Sequence, residues 1–369
     1  MRRLGRWTIM VLVGLGLIVG VAEGYRTWLQ HRMAGRLAIR TPHGIQESRF
    51  VAINGVEQWI TIRGQDRANP VLLIDAGGHG GTSNLLAPLF LPYERDFTLV
   101  HWDRQGAGKT FARAGGRIDP ALTQDGLAAD GIAVAQYLRR RLGKERIALL
   151  GVSFGSISAL KMIKARPELF SVYVGTGQEI DQPAEPRRAY DRAMSWAQDA
   201  RDQTTVSGLT ALGPPPYAAS ETEAFEALEA VVRPSEGRTA ADDRDLALAI
   251  PGWSIAELLA AQRAGKATRH HFTEVSKEHG RFQATSLGVG YRTPIVLIHG
   301  EWDDPELSAQ WLASVWAPHK AAIVLPKAGH SALIVEPRAF GEVMRRDVLP
   351  LARVGDTRKP PPGGATALR

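Results

Sequence analysis

Few local patterns restrict a fold as tightly as a short buried strand that ends at a glycine, turns around one residue and continues as a helix. In this chain the pattern runs from Arg146 to Lys164. Ile147 to Leu150 is a short apolar run of the kind a parallel strand shows when both its faces are covered. It breaks at Gly151, and from Ser156 onward Ile157, Leu160 and Ile163 recur at helical spacing. The residues between, Gly151-Val152-Ser153-Phe154-Gly155, spell G-x-S-x-G, a motif that carries meaning only between a strand and a helix. In a chain with 38 glycines the letters alone arise by chance, and the flanking elements give them weight. Such a turn strains the serine backbone, and a side chain at 151 or 155 would collide with strand or helix. The hydroxyl is then lifted above the sheet edge, where the helix dipole and the free N–H of the next residue favour negative charge. Ser153 is therefore the candidate nucleophile, and Phe154 N–H a candidate oxyanion donor.

The rest of the chain supplies the sheet that such an elbow requires. Phe50 to Ile53 and Val56 to Ile62 flank Asn54-Gly55, a dipeptide suited to a two-residue hairpin. Val71 to Asp75 reads as a buried strand running into Ala76-Gly77-Gly78-His79-Gly80-Gly81. Thr98 to Trp102 reads as another, ending in Asp103-Arg104-Gln105-Gly106-Ala107-Gly108-Lys109-Thr110. The Gly-Lys-Thr there invites a nucleotide reading, but a P-loop needs a glycine five positions before Gly108, where Asp103 stands. Gly126 to Leu142 is amphipathic, and Val172 to Val174 is a further strand after the elbow helix. The alternation argues for an α/β fold with a largely parallel, helix-covered sheet. From 181 to 290 alanine, charged residues and prolines take over without a strand run. That segment reads as a helical insertion, with Glu221 to Val232 as one expected helix. Sheet character returns at Ile295 to His299 and at Ala322 to Leu325, and the tail from 354 reads as disordered.

Charge is unevenly placed. Residues 1–40 hold seven arginines against Glu23, and residues 351–369 hold four basic groups against Asp356, leaving a body of −2 within a net +7. A nucleic-acid binder carries its charge on the folded surface, so that class is set aside. Trp7 to Ala22 is sixteen residues without a charge, preceded by Arg2, Arg3 and Arg6. As a helix it spans roughly 24 Å, against about 30 Å of hydrocarbon, with Arg6, Trp7, Tyr25 and Trp28 placed to make up the difference. The run reads as a single-pass membrane anchor, with the three leading arginines placing the N-terminus inside and the bulk of the chain outside the cytoplasmic membrane. A signal peptide cleaved after Gly20-Val21-Ala22, leaving a secreted or periplasmic protein, is the rival. Gly24 to Thr41 reads as a basic connector. The absence of cysteine excludes disulfides, thiol nucleophiles and zinc-thiolate sites.

In open α/β sheets functional groups gather beyond the carboxyl ends of strands. After the 295–299 strand stand Gly300-Glu301-Trp302-Asp303-Asp304-Pro305, and after the 322–325 strand Pro326-Lys327-Ala328-Gly329-His330. With Ser153 these give the chain order serine, acid, histidine. A serine hydroxyl needs an imidazole to take its proton, and an acid to fix that imidazole's tautomer and steady the cation that forms. His330 is the candidate base. Asp303 is preferred to Asp304 as the acid, because Asp304 just before Pro305 suits a helix N-terminus. A second oxyanion donor is expected at Gly78, where glycine lets backbone approach a bound carbonyl. His270-His271 lie in the insertion without acidic partners at ligand spacing, so neither a metal site nor a cofactor motif emerges.

Over roughly residues 44 to 350 these motifs resemble the proline iminopeptidase-like branch of the α/β-hydrolase superfamily. That branch carries His-Gly-Gly-Pro-Gly, Asp-Gln-Arg-Gly-x-Gly-x-Ser/Thr and Gly-x-Ser-Trp-Gly-Ser, then the acid and the histidine. Here Ala76-Gly77-Gly78-His79-Gly80 stands for the first, Arg104-Gln105 reverses the pair in the second, and Phe154 replaces the tryptophan of the third. The resemblance implies an α/β-hydrolase fold over 44–180 and 291–353, with 181–290 as a helical cap that forms the substrate pocket; outside its reach, the uncharged run sets an anchor or signal segment over 1–28 and composition a disordered tail over 354–369. It also implies a serine hydrolase acting on a small-molecule or short-peptide substrate. Release of an N-terminal proline and hydrolysis of small hydrophobic esters or amides both remain open, as does a catalytically silent binding domain. Aminopeptidase activity would need acidic groups around the substrate amine, and Glu179 and Asp181, just past the 172–174 strand, are the candidates. The pattern sets no oligomeric state.

Overall fold

A computed structural model of the chain describes residues 2–215 and 246–354. Its centre is an eight-stranded sheet in the order β1-β2-β4-β3-β5-β6-β7-β8. The strands are β1 (Ile45–Ile53), β2 (Val56–Gly64), β3 (Val71–Asp75), β4 (Thr98–Asp103), β5 (Ile147–Val152), β6 (Phe170–Thr176), β7 (Ile295–Gly300) and β8 (Lys320–Leu325). β1 and β2 form an antiparallel hairpin that turns at Asn54-Gly55, and β2 runs antiparallel to β4. Every pairing from β4 through to β8 is parallel.

At the N-terminus the structure differs from the expected connector. One helix, α1 (Arg2–Leu37), continues through it. Residues 12–37 of this helix are long and apolar enough to cross a membrane by length and composition. Its far end packs on the fold along one face, where Met33 and Leu37 are buried against Ala249, Ile250 and Trp253, while Arg32 and Arg36 stay exposed. That tertiary contact holds the helix together where the local pattern, basic and weakly apolar, offered no face.

The apolar runs of the inner strands follow from burial on both faces. A short helix, α2 (Gly108–Arg113), follows β4, and two longer ones, α3 (Gln124–Leu142) and α4 (Phe154–Ala165), cover the sheet. Leu73, Leu149, Ile295 and Leu297 face a core built with α3 and α4 through Leu127, Val134, Ile157, Leu160 and Ile163. Their neighbours Leu72, Ile74, Leu150, Val296 and Ile298 face a second core holding Phe90, Tyr93, Phe340 and Met344. A period of two in each strand thus divides one hydrophobic string between two layers. β8, at the sheet edge, alternates instead and leaves Val324 exposed.

The chain moves outward from β3 to β4 and then returns to β5 on the other side of β3. The carboxyl ends of β3 and β5 flank this reversal, the crevice where open α/β sheets hold ligands. Between β6 and β7 the described residues form α5 (Glu185–Asp199), α6 (Gln203–Leu212) and α7 (Ile255–His270), the last opened by a capping box between Ser254 and Glu257. The helix expected over 221–232 and the tail beyond 354 lie outside the described residues.

Candidate active site

Ser153 occupies the turn between β5 and α4 at φ 49° and ψ −128°. Its N–H donates to Thr176 O at 2.9 Å, and its carbonyl takes Ser156 N–H at 2.7 Å, so the strain is held from both sides. A Cβ on Gly155 would stand 2.3 Å from Asp75 O, which explains the glycine: α4 passes directly over the end of β3.

The histidine loop after β8 and the acid loop after β7 are laced together. Glu301 N–H donates to Leu325 O and Trp302 N–H to Ala328 O, both at 2.9 Å. His330 thereby comes to Ser153, with Nε2 2.8 Å from Oγ. Its Nδ1 lies 3.0 Å from Asp303 Oδ1. The second Asp303 oxygen is 3.2 Å from Nδ1 of His299, a buried residue of β7. Burial alone would raise the Asp303 carboxyl, yet His330 and the hydrogen bonds from both histidines outweigh it and hold the group well below the usual carboxylate range. Asp304 faces another way. It caps α8 (Pro305–Ser314) through Leu307 N–H at 3.0 Å and pairs with Arg188 and Arg192 of α5.

Gly77 and Gly78 lie in the loop after β3, where a Cβ on Gly77 would stand 3.1 Å from Ser153 Cβ. Arg104 holds this loop from beneath. It is fully buried, pairs with Asp75 at 2.6 Å, donates to Ala76 O and Gly78 O, and lies 5.2 Å from the Phe154 ring centre. Among the described residues, neither Gly78 N–H nor Phe154 N–H donates to a protein acceptor. α7 covers the loop closely: a Cβ on Gly80 would meet Ala264 backbone at 2.5 Å. His79 packs on Phe154 at 4.3 Å and on His279 at 4.5 Å between ring centres.

Of the two acidic residues expected beside the substrate, one lies at the serine. Glu179 Oε1 is 3.5 Å from Ser153 Oγ, and its other oxygen takes a hydrogen bond from Gln182. Burial pushes the Glu179 carboxyl up to about 8, aided by Glu185 and Asp303 and opposed by His330. Asp181 is placed elsewhere. Its carboxylate accepts from Gln283 at 3.2 Å, its carbonyl accepts from Ala184 and Glu185 N–H, and it pairs backbone to backbone with Gln283. β6 ends at Thr176 and the chain then turns away from the sheet towards α5, so lying just past the strand does not bring both acids to the serine. The second acid near the site is instead Glu185, raised by burial and paired with Arg192 at 2.9 Å.

Four further residues had no local signal for the places they take. Gln182 and Glu185 reach the site only because the chain after β6 turns into α5. Gly177 is bare because His330 Cε1 would stand 2.8 Å from a Cβ there. Lys109, from the Gly-Lys-Thr stretch, sits between Trp59 and Trp253 and donates to Gly252 O while pairing with Glu257 at 3.1 Å. Among the described residues no cluster of three or more histidine or acidic groups is arranged to hold a metal ion.

Comparison with known proteins places the fold. The model of the family described as alpha/beta hydrolase fold matches residues 43–337. A Bacillus subtilis (strain 168) protein named Probable aminopeptidase YbaC is 28% identical over 310 residues, covering 80% of this chain and 94% of the relative. Among solved structures, a proline iminopeptidase-related protein from Thermus thermophilus is 22% identical with a TM-score of 0.57, covering 84% of this chain and 99% of its own. The proline iminopeptidase of Mycobacterium smegmatis is 19% identical with a TM-score of 0.59, covering 84% of this chain and 100% of its own. At these identities the structural likeness is one of fold.

Proposed function

The chain belongs to the α/β-hydrolase fold family, and from that premise we propose that it is a serine hydrolase working through an acyl-enzyme on Ser153. The observation that carries the reading is the hydrogen-bonded series from Ser153 Oγ through His330, at 2.8 Å, to Asp303, at 3.0 Å. As Oγ attacks a carbonyl carbon, its proton passes to His330 Nε2, and Asp303 steadies the imidazolium through Nδ1–H. Gly78 and Phe154 N–H groups receive the oxyanion. The proton on Nε2 then goes to the leaving nitrogen or oxygen, leaving the acyl group on Ser153. Water, deprotonated by the same imidazole, releases it. A fluorophosphonate probe tests this: the chain is labelled at Ser153 and Ser153→Ala is not. An unlabelled native chain would mean a silent binding domain.

Within that chemistry an aminopeptidase is the first reading, supported by Glu179 beside Ser153, by Glu185 behind it and by the named relatives. Glu185 takes the place that Asp181 held in the sequence reading. The described residues of the 181–290 segment, α5 and α7 among them, act as the cap over these groups. A second reading, an esterase or amidase of uncharged substrates, is favoured by the Glu179 carboxyl itself. Pushed up to about 8, it is mostly protonated at neutral pH and offers a hydrogen bond rather than an anion. Hydrolysis of proline-naphthylamide against a p-nitrophenyl ester separates the two. Ester turnover without amide turnover decides for the second.

α1 is proposed as an uncleaved single-pass anchor. Arg2, Arg3 and Arg6 favour an internal N-terminus and an external hydrolase domain, while Arg26, Arg32, Arg36 and Arg40 follow the apolar run and reduce that bias. Protease accessibility of the domain in sealed membranes decides the side.

A further inference from the structure

We infer that the enzyme stands with one face of its cap on the bilayer, seated through Ile255 and Leu259 of α7 beside the anchor. The inference rests on the anchor reading and adds an orientation to it. α1 does not leave the membrane as a free tether. Arg26 donates to the Trp253 carbonyl, and Gln30 donates to Ile250 O at 3.0 Å and to Trp253 O at 3.2 Å. Arg26 is four residues past Ala22, the last residue of the uncharged run, a rise of about 6 Å along a helix. The segment entering α7 is therefore fixed within one or two turns of the hydrocarbon edge.

The outer face of α7 fits that position. Its other faces are used: Leu258 and Ala261 pack towards α1, while Ala260 and Ala264 pack against Phe111 of α2. The large apolar side chains left outside are Ile255, 38% exposed, and Leu259, 52% exposed, one turn apart and followed along the same stripe by exposed Arg263, with Ala256, Gln262 and Lys266 exposed beside them. Apolar residues nearest the anchor with a cation beyond them is the order an interfacial helix presents to acyl chains and phosphates. The anchor brings matching groups to the same level. Tyr25 and Trp28 stack at 5.8 Å and are both largely exposed, and Arg32 lies 4.7 Å over the Trp28 ring. Aromatic rings at the end of an apolar span belong to the headgroup layer. The partner is a lipid surface, since the same helix that holds this face is the one that enters the bilayer.

The test uses the full chain in vesicles containing anionic lipid. Because the protein has no cysteine, each introduced thiol is unique. Ile18→Cys, Leu259→Cys and Val324→Cys are each labelled with an environment-sensitive fluorophore, and nitroxide is carried on lipid headgroups or on acyl chains. Val324 is exposed on β8, six strand spacings from β2 and roughly 29 Å away. The label at 18 should be quenched by acyl-chain nitroxide, the label at 259 should lose roughly half its emission to headgroup nitroxide, and the label at 324 should lose none. Ile255→Cys repeats the reading at 259 should that variant fold poorly. A quenched label at 18 with labels at 255 and 259 as little quenched by headgroup nitroxide as that at 324 overturns the seating and leaves the anchor standing. An unquenched label at 18 removes the anchor and the seating together.

Discussion

At the scale of single residues, a group 3 Å away decides what each side chain is. Ser153→Ala and His330→Ala should each lower kcat by several orders of magnitude, and the double variant should be little worse than either, because the pair acts as a unit. Steady-state kinetics on a p-nitrophenyl ester reads this; additive losses would contradict it. Asp303→Asn should be severe, since it leaves the His330 tautomer unset. Asp304→Asn should be mild, because that carboxylate caps α8 and binds Arg188 and Arg192. Glu179 gives a pH test with a definite sign. Its folded value, about 8, lies above that of a free carboxyl, so the folded chain holds a proton that the unfolded chain has lost. Stability from this group is therefore present below the unfolded value near 4.5 and is lost as pH rises towards 8, at most about 1.4 kcal/mol for each unit of displacement. Thermal unfolding between pH 5 and 8.5 should fall more steeply in the native chain than in Glu179→Gln. The same ionisation should raise turnover of a prolyl amide relative to an ester around pH 8, and Glu179→Gln should flatten that ratio. Ser153, Asp303 and His330 were nameable from sequence because each stands a few residues past a strand that burial makes legible. Glu185 was not, because its place depends on how an entire segment folds back over the sheet.

At the scale of elements, the loop after β3 shows how much of a site is held from behind. The strands themselves were legible, each as an apolar run, and so was the hairpin at Asn54-Gly55. The support was not. Arg104 sits where the resembling family has glutamine, and only the fold reveals that its guanidinium grips Asp75 and the carbonyls of Ala76 and Gly78. Burial raises the Asp75 carboxyl, while Arg104 and Ser158 pull it down. Arg104→Met should therefore strand a buried acid and destabilise the chain by about 3–5 kcal/mol. Adding Asp75→Asn should recover part of that loss, because a neutral amide is less costly to bury unpaired. Urea unfolding of the two single variants and the double measures the coupling. Equal, additive losses would mean that Arg104 acts through packing on Phe154 rather than through its charge.

At the scale of the whole molecule, the two halves of α1 differ in their surroundings. Before residue 22 its described apolar side chains, Leu12, Leu17, Ile18 and Val21 among them, are exposed, and its second half is part of the enzyme. A sequence window reads the first half easily, since sixteen uncharged residues need no partner to be recognised. It cannot read the second, because Met33 and Leu37 acquire meaning only from Ile250 and Trp253, more than two hundred positions away. The contact also has a structural reach: Trp253 packs on Lys109, which follows β4, and Arg63 of β2 donates to the Leu37 carbonyl. Two truncations separate the roles. A chain starting at 25 keeps Arg26, Gln30, Met33 and Leu37, whereas a chain starting at 41 strips all four from the cap. Burying Met33 and Leu37 contributes about 1.5–3 kcal/mol each, which for a domain of this size is a melting shift of roughly 5–10 °C. Carbonate extraction should leave the full chain in membranes and release both truncated forms. The shorter one alone should melt early and be cut by protease within the cap, around residues 246–258, at a temperature where the longer one resists. If the two melt together, α1 ends functionally at the membrane and its packing on Trp253 adds no stability. If the shorter form also loses turnover on the ester, beyond what its lower melting point accounts for, then the helix proposed as the anchor also keeps α7 over the loop that carries Gly78.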